Sequence, residues 1–246
     1  MNARARTAVV TGAAGSAALA IVRALLEDGV QVALVDADAM RLDSLIRFLR
    51  GTTVAVPCES IDPGAVAEAL RKVEKLLGPV DILVNCVEAI AASRIEATDA
   101  AEWRSVNAHH LDAPYYWSRA LIPGMRTRNT GRIVNVMSLA AKGAGAEMGA
   151  ALVAAHGGLA ALTFALARET AAQGITVNGI ASGAFEGSGA IEPLNESQRR
   201  QLLAQIPVGR FGKPEELAHA VRFLVSPLAA FITGEILDVN GGVSMD

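Results

Sequence analysis

Charge is scarce in this 246-residue chain. Asp, Glu, Lys and Arg make up 19% of it against 52% hydrophobic residues, and the mean hydropathy is +0.34. So little charge implies that much surface is buried, part of it between subunits. Twenty-two basic residues face 25 acidic ones, a net charge of −3, and no basic cluster is present. That excludes the electrostatic footprint of a nucleic-acid binder. Aromatic residues are only 4%, with two tyrosines, Tyr115 and Tyr116. Chemistry that needs a phenol therefore has few candidates. Cys58 and Cys86 lie far apart, without metal-ligand or disulfide spacing, which points to a reducing, cytoplasmic setting and to no metal site. The N-terminus carries Arg4 and Arg6 but reaches a glycine turn after a very short apolar run, unlike a signal peptide.

One long uncharged run is present, from Met148 to Ala167. Its length would span a bilayer. It contains His156 and three glycines, however, and Arg168 and Glu169 follow directly. A buried apolar helix is the better expectation.

Elsewhere, strand-like apolar runs alternate with helical periodicity. Strands are expected at TAVVTG, VQVALVD, TVAVPC, VDILVN, GRIVNVMS, ITVNGIAS and GEILDVNGG. Helices are expected between them, including AALAIVRALLEDG ended by Gly29 and a helix opened by Pro63. Nearly continuous apolar strands alternating with helices specify a parallel sheet covered on both faces. No linker or repeat interrupts it, so residues 1–246 form one α/β domain of the Rossmann-type, doubly wound kind. Ala181–Ser197 is the one loop long enough to be a lid.

The turn VVTGAAGSAALA follows the first strand, where a dinucleotide fold seats pyrophosphate on a helix N-terminus. Asp36 ends the second strand, 24 residues after Gly12, at the place of an acid that accepts from an adenosine ribose. These features, with DILVNCVE, SVNAHHL, GRIVNVMS, ITVNGIASG and the C-terminal IPVGRFGKPEELAHAVRFLV, give the whole chain a resemblance to the classical short-chain dehydrogenase/reductases. The resemblance implies a Rossmann-type fold, a nicotinamide cofactor, and a catalytic set to which Asn107 and Ser138 correspond.

It also locates losses. The family's Y-x-x-x-K pair begins about 13 residues beyond the serine; here those positions are Ala151 and Ala155. In the family the tyrosine hydroxyl exchanges a proton with substrate, and the lysine lowers its pKa from about 10. Alanine can do neither. Among substitutes, Lys142 could reach in from a loop. His156 should be turned away by one helical step of about 100°. His109 and His110 read as structural, and Tyr115, Tyr116 and Trp117 as packing.

The cofactor positions are altered as well. Ser16 and Ala18 replace the turn's second and third glycines, and Ser16 adds atoms where phosphate must approach. Glu88 replaces the last glycine of N-N-A-G and adds charge beside an anionic ligand, and Cys86 replaces its second asparagine. Glu59 and Ser60 replace an Asp-Val pair that contacts adenine. Ser182 replaces a proline, and Gly187 falls near a threonine that bonds the nicotinamide amide. Gly12 and Asp36 are thus vestigial, blocked by Ser16 and Glu88, and little or no cofactor binding is expected.

Segments that bear the fold match the family, while residues that touch cofactor or substrate depart from it. The expectation is a non-catalytic subunit that pairs with an active homologous NAD-dependent dehydrogenase in a hetero-oligomer, a dimer of dimers. The helix over Met148–Ala167 would supply its subunit face. The family includes such an arrangement in a hydroxyacyl-CoA dehydrogenase of anaerobic aromatic breakdown. Two alternatives stand beside it: a homomeric NAD(P) sensor or regulator, and an active reductase that uses Lys142, Glu88 or His156.

Overall fold

The computed structural model describes residues 4–87, 93–142, 148–189 and 191–245. The apolar runs become strands β1 (Thr7–Thr11), β2 (Gln31–Asp36), β3 (Thr53–Pro57), β4 (Ile82–Asn85), β5 (Gly131–Ser138), β6 (Ile175–Ser182) and β7 (Ile236–Val239). All pair in parallel, in the order β3-β2-β1-β4-β5-β6-β7. The order reverses at the β1–β4 seam, the switch point beyond which open α/β sheets bind ligands.

The two-residue period of a strand divides the apolar side chains between two layers. Val10, Leu34, Val84 and Ile180 face one side, where they meet Ile21 and Leu25 of α1 (Ser16–Glu27) and Val221 and Leu224 of α8 (Pro214–Val225). Val9, Val35, Leu83 and Val177 face the other, against Val66 and Val73 of α3 (Pro63–Leu77) and Trp117, Leu121 and Met125 of α5 (Ala113–Arg128). The remaining helices are α2 (Ala39–Ile46), α4 (Ala100–Asn107), α6 (Ala150–Thr170) and α7 (Glu196–Leu203).

The helical stretch after β4 is divided. Between α4 and α5 lies a π-helical turn, Ala108–Asp112, in which the Ala113 amide donates to the Ala108 carbonyl five residues back. Pro114 supplies the cause: having no N–H, it cannot donate to the His110 carbonyl four residues earlier, and the hydrogen-bond register slips there. The long apolar run becomes α6. Ala150–Gln173 passes for a membrane span by length and composition, yet 44% of its most apolar window is buried within the chain itself.

Candidate functional site

Ser138 ends β5 and is 6% exposed. A 3₁₀ turn, Leu139–Lys142, follows, and α6 packs over it. Ala151 and Ala155 lie on the inner face of α6 and are wholly buried. No proton-exchanging group stands at either position.

The occupant of that space is His156, contrary to the expectation that one helical step carries it away. Its Nδ1 lies 2.8 Å from Ser138 Oγ and accepts the Ser138 backbone N–H at 3.1 Å. The inner face of α6 includes Leu152, Ala155, His156, Leu159 and Thr163, an arc wide enough to hold two adjacent positions. The small side chains at 151 and 155 leave the imidazole room. Its Nε2 sits 3.3 Å from Nδ1 of His110, with the rings nearly perpendicular at 83° and 5.0 Å apart. Burial pushes the His156 pKa down to about 3, assisted by His110, and that of His110 to about 4, assisted by His109. Both rings are therefore neutral near pH 7. Two histidines 46 residues apart gave no local pattern in the sequence; the π-turn that aims His110 at α6 brings them together.

The other candidates are employed elsewhere. Lys142 Nζ forms an ion pair with Asp238 of β7 at 2.7 Å, so the structure gives it a partner other than Ser138. His109 Nδ1 lies 2.8 Å from the Ser105 carbonyl. Asn107 donates its side-chain amide to the Trp103 carbonyl. Trp117 is fully buried, Tyr116 packs against the same core, and Tyr115 is half exposed. Behind Ser138, a buried chain runs from Asn85 to Asn135 to Thr163 and ties β4, β5 and α6 together.

At the switch point, Gly12 has φ +61°, and a Cβ there would lie 2.1 Å from the Cys86 carbonyl oxygen. Fold geometry alone demands this glycine. Asp36 points both carboxylate oxygens at backbone: Oδ2 accepts from Ala14 and Oδ1 from Asp38, each at 3.1 Å. Ser16 opens α1, and the loop after β6 crosses close above it. A Cβ on Gly187 would lie 3.8 Å from Ser16 Cβ, which is van der Waals contact. Ala18, two residues further along α1, is fully buried. Ser182 Oγ donates to the Met137 carbonyl, and Ser60 Oγ accepts the Trp117 indole N–H at 3.0 Å. Glu59 lines a cavity of about 440 Å³ with Ala37, Cys58, Glu68 and Lys72 beyond β2 and β3. Glu88 lies outside the described residues.

Comparison with known proteins agrees with this architecture. The family model described as enoyl-(acyl carrier protein) reductase matches residues 12–244. The chain is 35% identical over 246 residues to (2S)-[(R)-hydroxy(phenyl)methyl]succinyl-CoA dehydrogenase subunit BbsC of Thauera aromatica, covering 99% of this chain and 96% of that one. It is 35% identical to 3-oxoacyl-[acyl-carrier-protein] reductase FabG of Vibrio cholerae, over the full length of both. To acetoacetyl-CoA reductase of Shinella zoogloeoides it is 37% identical, over 96% of this chain and 98% of that one. A doubly wound parallel sheet and likeness along the whole chain together place it in the short-chain dehydrogenase/reductase family.

Proposed function

We propose that this chain is a non-catalytic subunit of a cytoplasmic hetero-oligomeric dehydrogenase, supporting an active homologous subunit that binds NAD and acts on a hydroxyacyl thioester. One observation carries the reading: the two positions at which the family places its acid and its tuning cation are buried alanines, and His156 fills the space beside them. The names of the relatives support the substrate class. BbsC is named as a subunit of a dehydrogenase of a hydroxyacyl-CoA, and the other two are named as reductases of 3-oxoacyl thioesters.

The outer face of α6 supports the pairing. Ala154, Ala161 and Ala165 are exposed, as is Phe164, with Tyr115 of α5 and Trp103 of α4 contributing further apolar surface. Gly157 is the telling position. A Cβ added there meets nothing within 4 Å, so no contact inside the described chain calls for glycine. Glycine inside a helix costs roughly 1 kcal/mol relative to alanine. Close approach of a second helix accounts for it. A homologous chain is the occupant, since a two-fold interface in this family is self-complementary and a duplicated copy inherits the matching surface.

Co-expression with homologous dehydrogenases from the same organism, followed by native mass measurement, tests this. The expected result is a mixed oligomer that Ala154→Asp breaks, because a charge there would be desolvated without a partner. A homomer that ignores every such dehydrogenase would sink the proposal. Calorimetry with NAD and NADP, in both redox states, should show no micromolar binding to the chain alone.

The hydrogen bond between Ser138 and His156 favours one competing reading, an active enzyme with altered acid–base chemistry. Against it, His156 Nδ1 already accepts a backbone N–H, and its low pKa makes it a weak base. Turnover of any 3-oxoacyl or 3-hydroxyacyl thioester by the partner-free chain, abolished by His156→Phe, would decide for that reading.

A further inference from the structure

Ser138, His156 and His110 form a chain whose proton positions follow from counting donors. A backbone N–H only donates, so the His156 Nδ1 that receives the Ser138 amide carries a lone pair. The proton of the neutral ring is therefore on Nε2, where it is given to His110 Nδ1. His110 in turn carries its proton on Nε2. With no proton on His156 Nδ1, the Ser138 hydroxyl is the donor in their 2.8 Å contact. Ser138 Oγ then accepts from the Ala140 amide at 3.2 Å. The single hydroxyl proton of the serine is thus committed to a residue on α6 and is unavailable to a substrate oxygen.

Nothing around the pair, among the described residues, favours a charged ring. Among the described residues, His109 is the neighbour on the π-turn that acts on His110, and neither Asp112 nor Arg104 moves either ring. Glu102 of α4 accepts the Ser93 amide. Lys142 of the 3₁₀ turn holds Asp238. β6 carries no ionisable residue, and Arg132 near the start of β5 donates to the carbonyls of Gly131, Gly174 and Ser226. A proton arriving at His156 Nδ1 would also oppose the Ser138 amide directly.

We infer that His156, seated on His110, is a positioning residue that fastens α6 to β5 through Ser138, forming a latch that holds only while both imidazoles are uncharged, each with a single ring proton. The latch makes α6 acid-labile from its inner face, and this property belongs to the chain alone, whatever its partner.

Two measurements on the full chain test this. Nitrogen-detected NMR should show His156 as the Nε2–H tautomer, its Nδ1 unprotonated, with neither ring titrating between pH 8 and 5. Denaturant unfolding over the same range, extended to pH 4.5, gives the number of protons taken up on unfolding. That number should fall by about one in His156→Phe, about one in His110→Phe and about two in the double variant. Proton uptake is read from the slope, so a variant of lower stability still reports. If His156→Phe does not fold, His156→Gln, which keeps an acceptor for the serine, serves instead. An Nδ1–H tautomer, a ring titrating near pH 6.5 in the folded protein, or a slope indifferent to both substitutions would overturn the inference.

Discussion

The β1–α1 turn and the β5–α6 pocket have fared differently. At the turn, Gly12 persists because the Cys86 carbonyl leaves no room for a Cβ, whatever the site binds. In the pocket, the positions of the family's reactive pair are alanine, and a histidine from the next position has taken the space. A retained motif residue is therefore evidence of function only when the fold does not need it for itself. Asp36 teaches the same: its carboxylate staples the turn to the end of β2 through Ala14 and Asp38.

The largest effect that could break this contrast is catalytic. The isolated chain should lack the roughly 10²–10⁴-fold rate contribution of a positioned acid–base group. Ala151→Tyr with Ala155→Lys should not restore it, since both positions are sealed and the Ser138 proton is engaged. Overpacking there should instead lower stability by about 1–3 kcal/mol. Steady-state assays with acyl-CoA substrates, beside denaturant titration, check both halves.

At the turn the expected ordering is steric. Gly12→Ala places a Cβ against backbone at positive φ and should cost about 3 kcal/mol or prevent folding. Ser16→Gly, which restores a family residue at the start of α1, should shift stability by less than about 1 kcal/mol. Comparable losses in the two variants would remove the distinction between a glycine held by geometry and one lost with chemistry.

Acid separates the regions next. The pKa values of His156 and His110 are depressed to about 3 and about 4, so the unfolded chain binds more protons than the folded one below about pH 6.5. Stability from the neutral pair is complete above that pH and is lost as pH falls toward 4. The slope approaches about 1.4 kcal/mol per pH unit for each histidine. Urea titrations at pH 7, 6 and 5 should show it in the parent chain, and a much flatter profile in the His110→Phe, His156→Phe variant.

The smallest effect is the sharpest for assembly. Gly157→Ala should stabilise the isolated chain by about 0.5–1 kcal/mol, because the added methyl meets nothing and the helix gains. The same methyl should weaken the mixed oligomer. A variant that stabilises the chain and leaves association untouched would reassign that face to solvent.

Much of this was legible in the sequence. Strand alternation gave all seven strands and the doubly wound class, since apolar period and turn residues act locally. Ala151 and Ala155 stood out through the family resemblance, which supplied their distance from Ser138. What escaped depended on geometry between distant segments. The π-turn follows from Pro114, but its effect on His110 depends on where α6 lies. His156 was misjudged because helical rotation was counted without the width of the buried arc. Lys142 has its partner on β7, nearly a hundred residues on.

The two tryptophans of the chain occupy contrasting places. Trp117 is enclosed, with its indole N–H on Ser60, whereas Trp103 is 43% exposed on α4, a helix that packs against α6. Their fluorescence thus divides into two channels without any label. A water-soluble quencher should reach Trp103 alone in the native chain, and neither residue once a partner covers Trp103. Unfolding uncovers both, so quenching distinguishes an assembly that has come apart from a chain that has lost its fold.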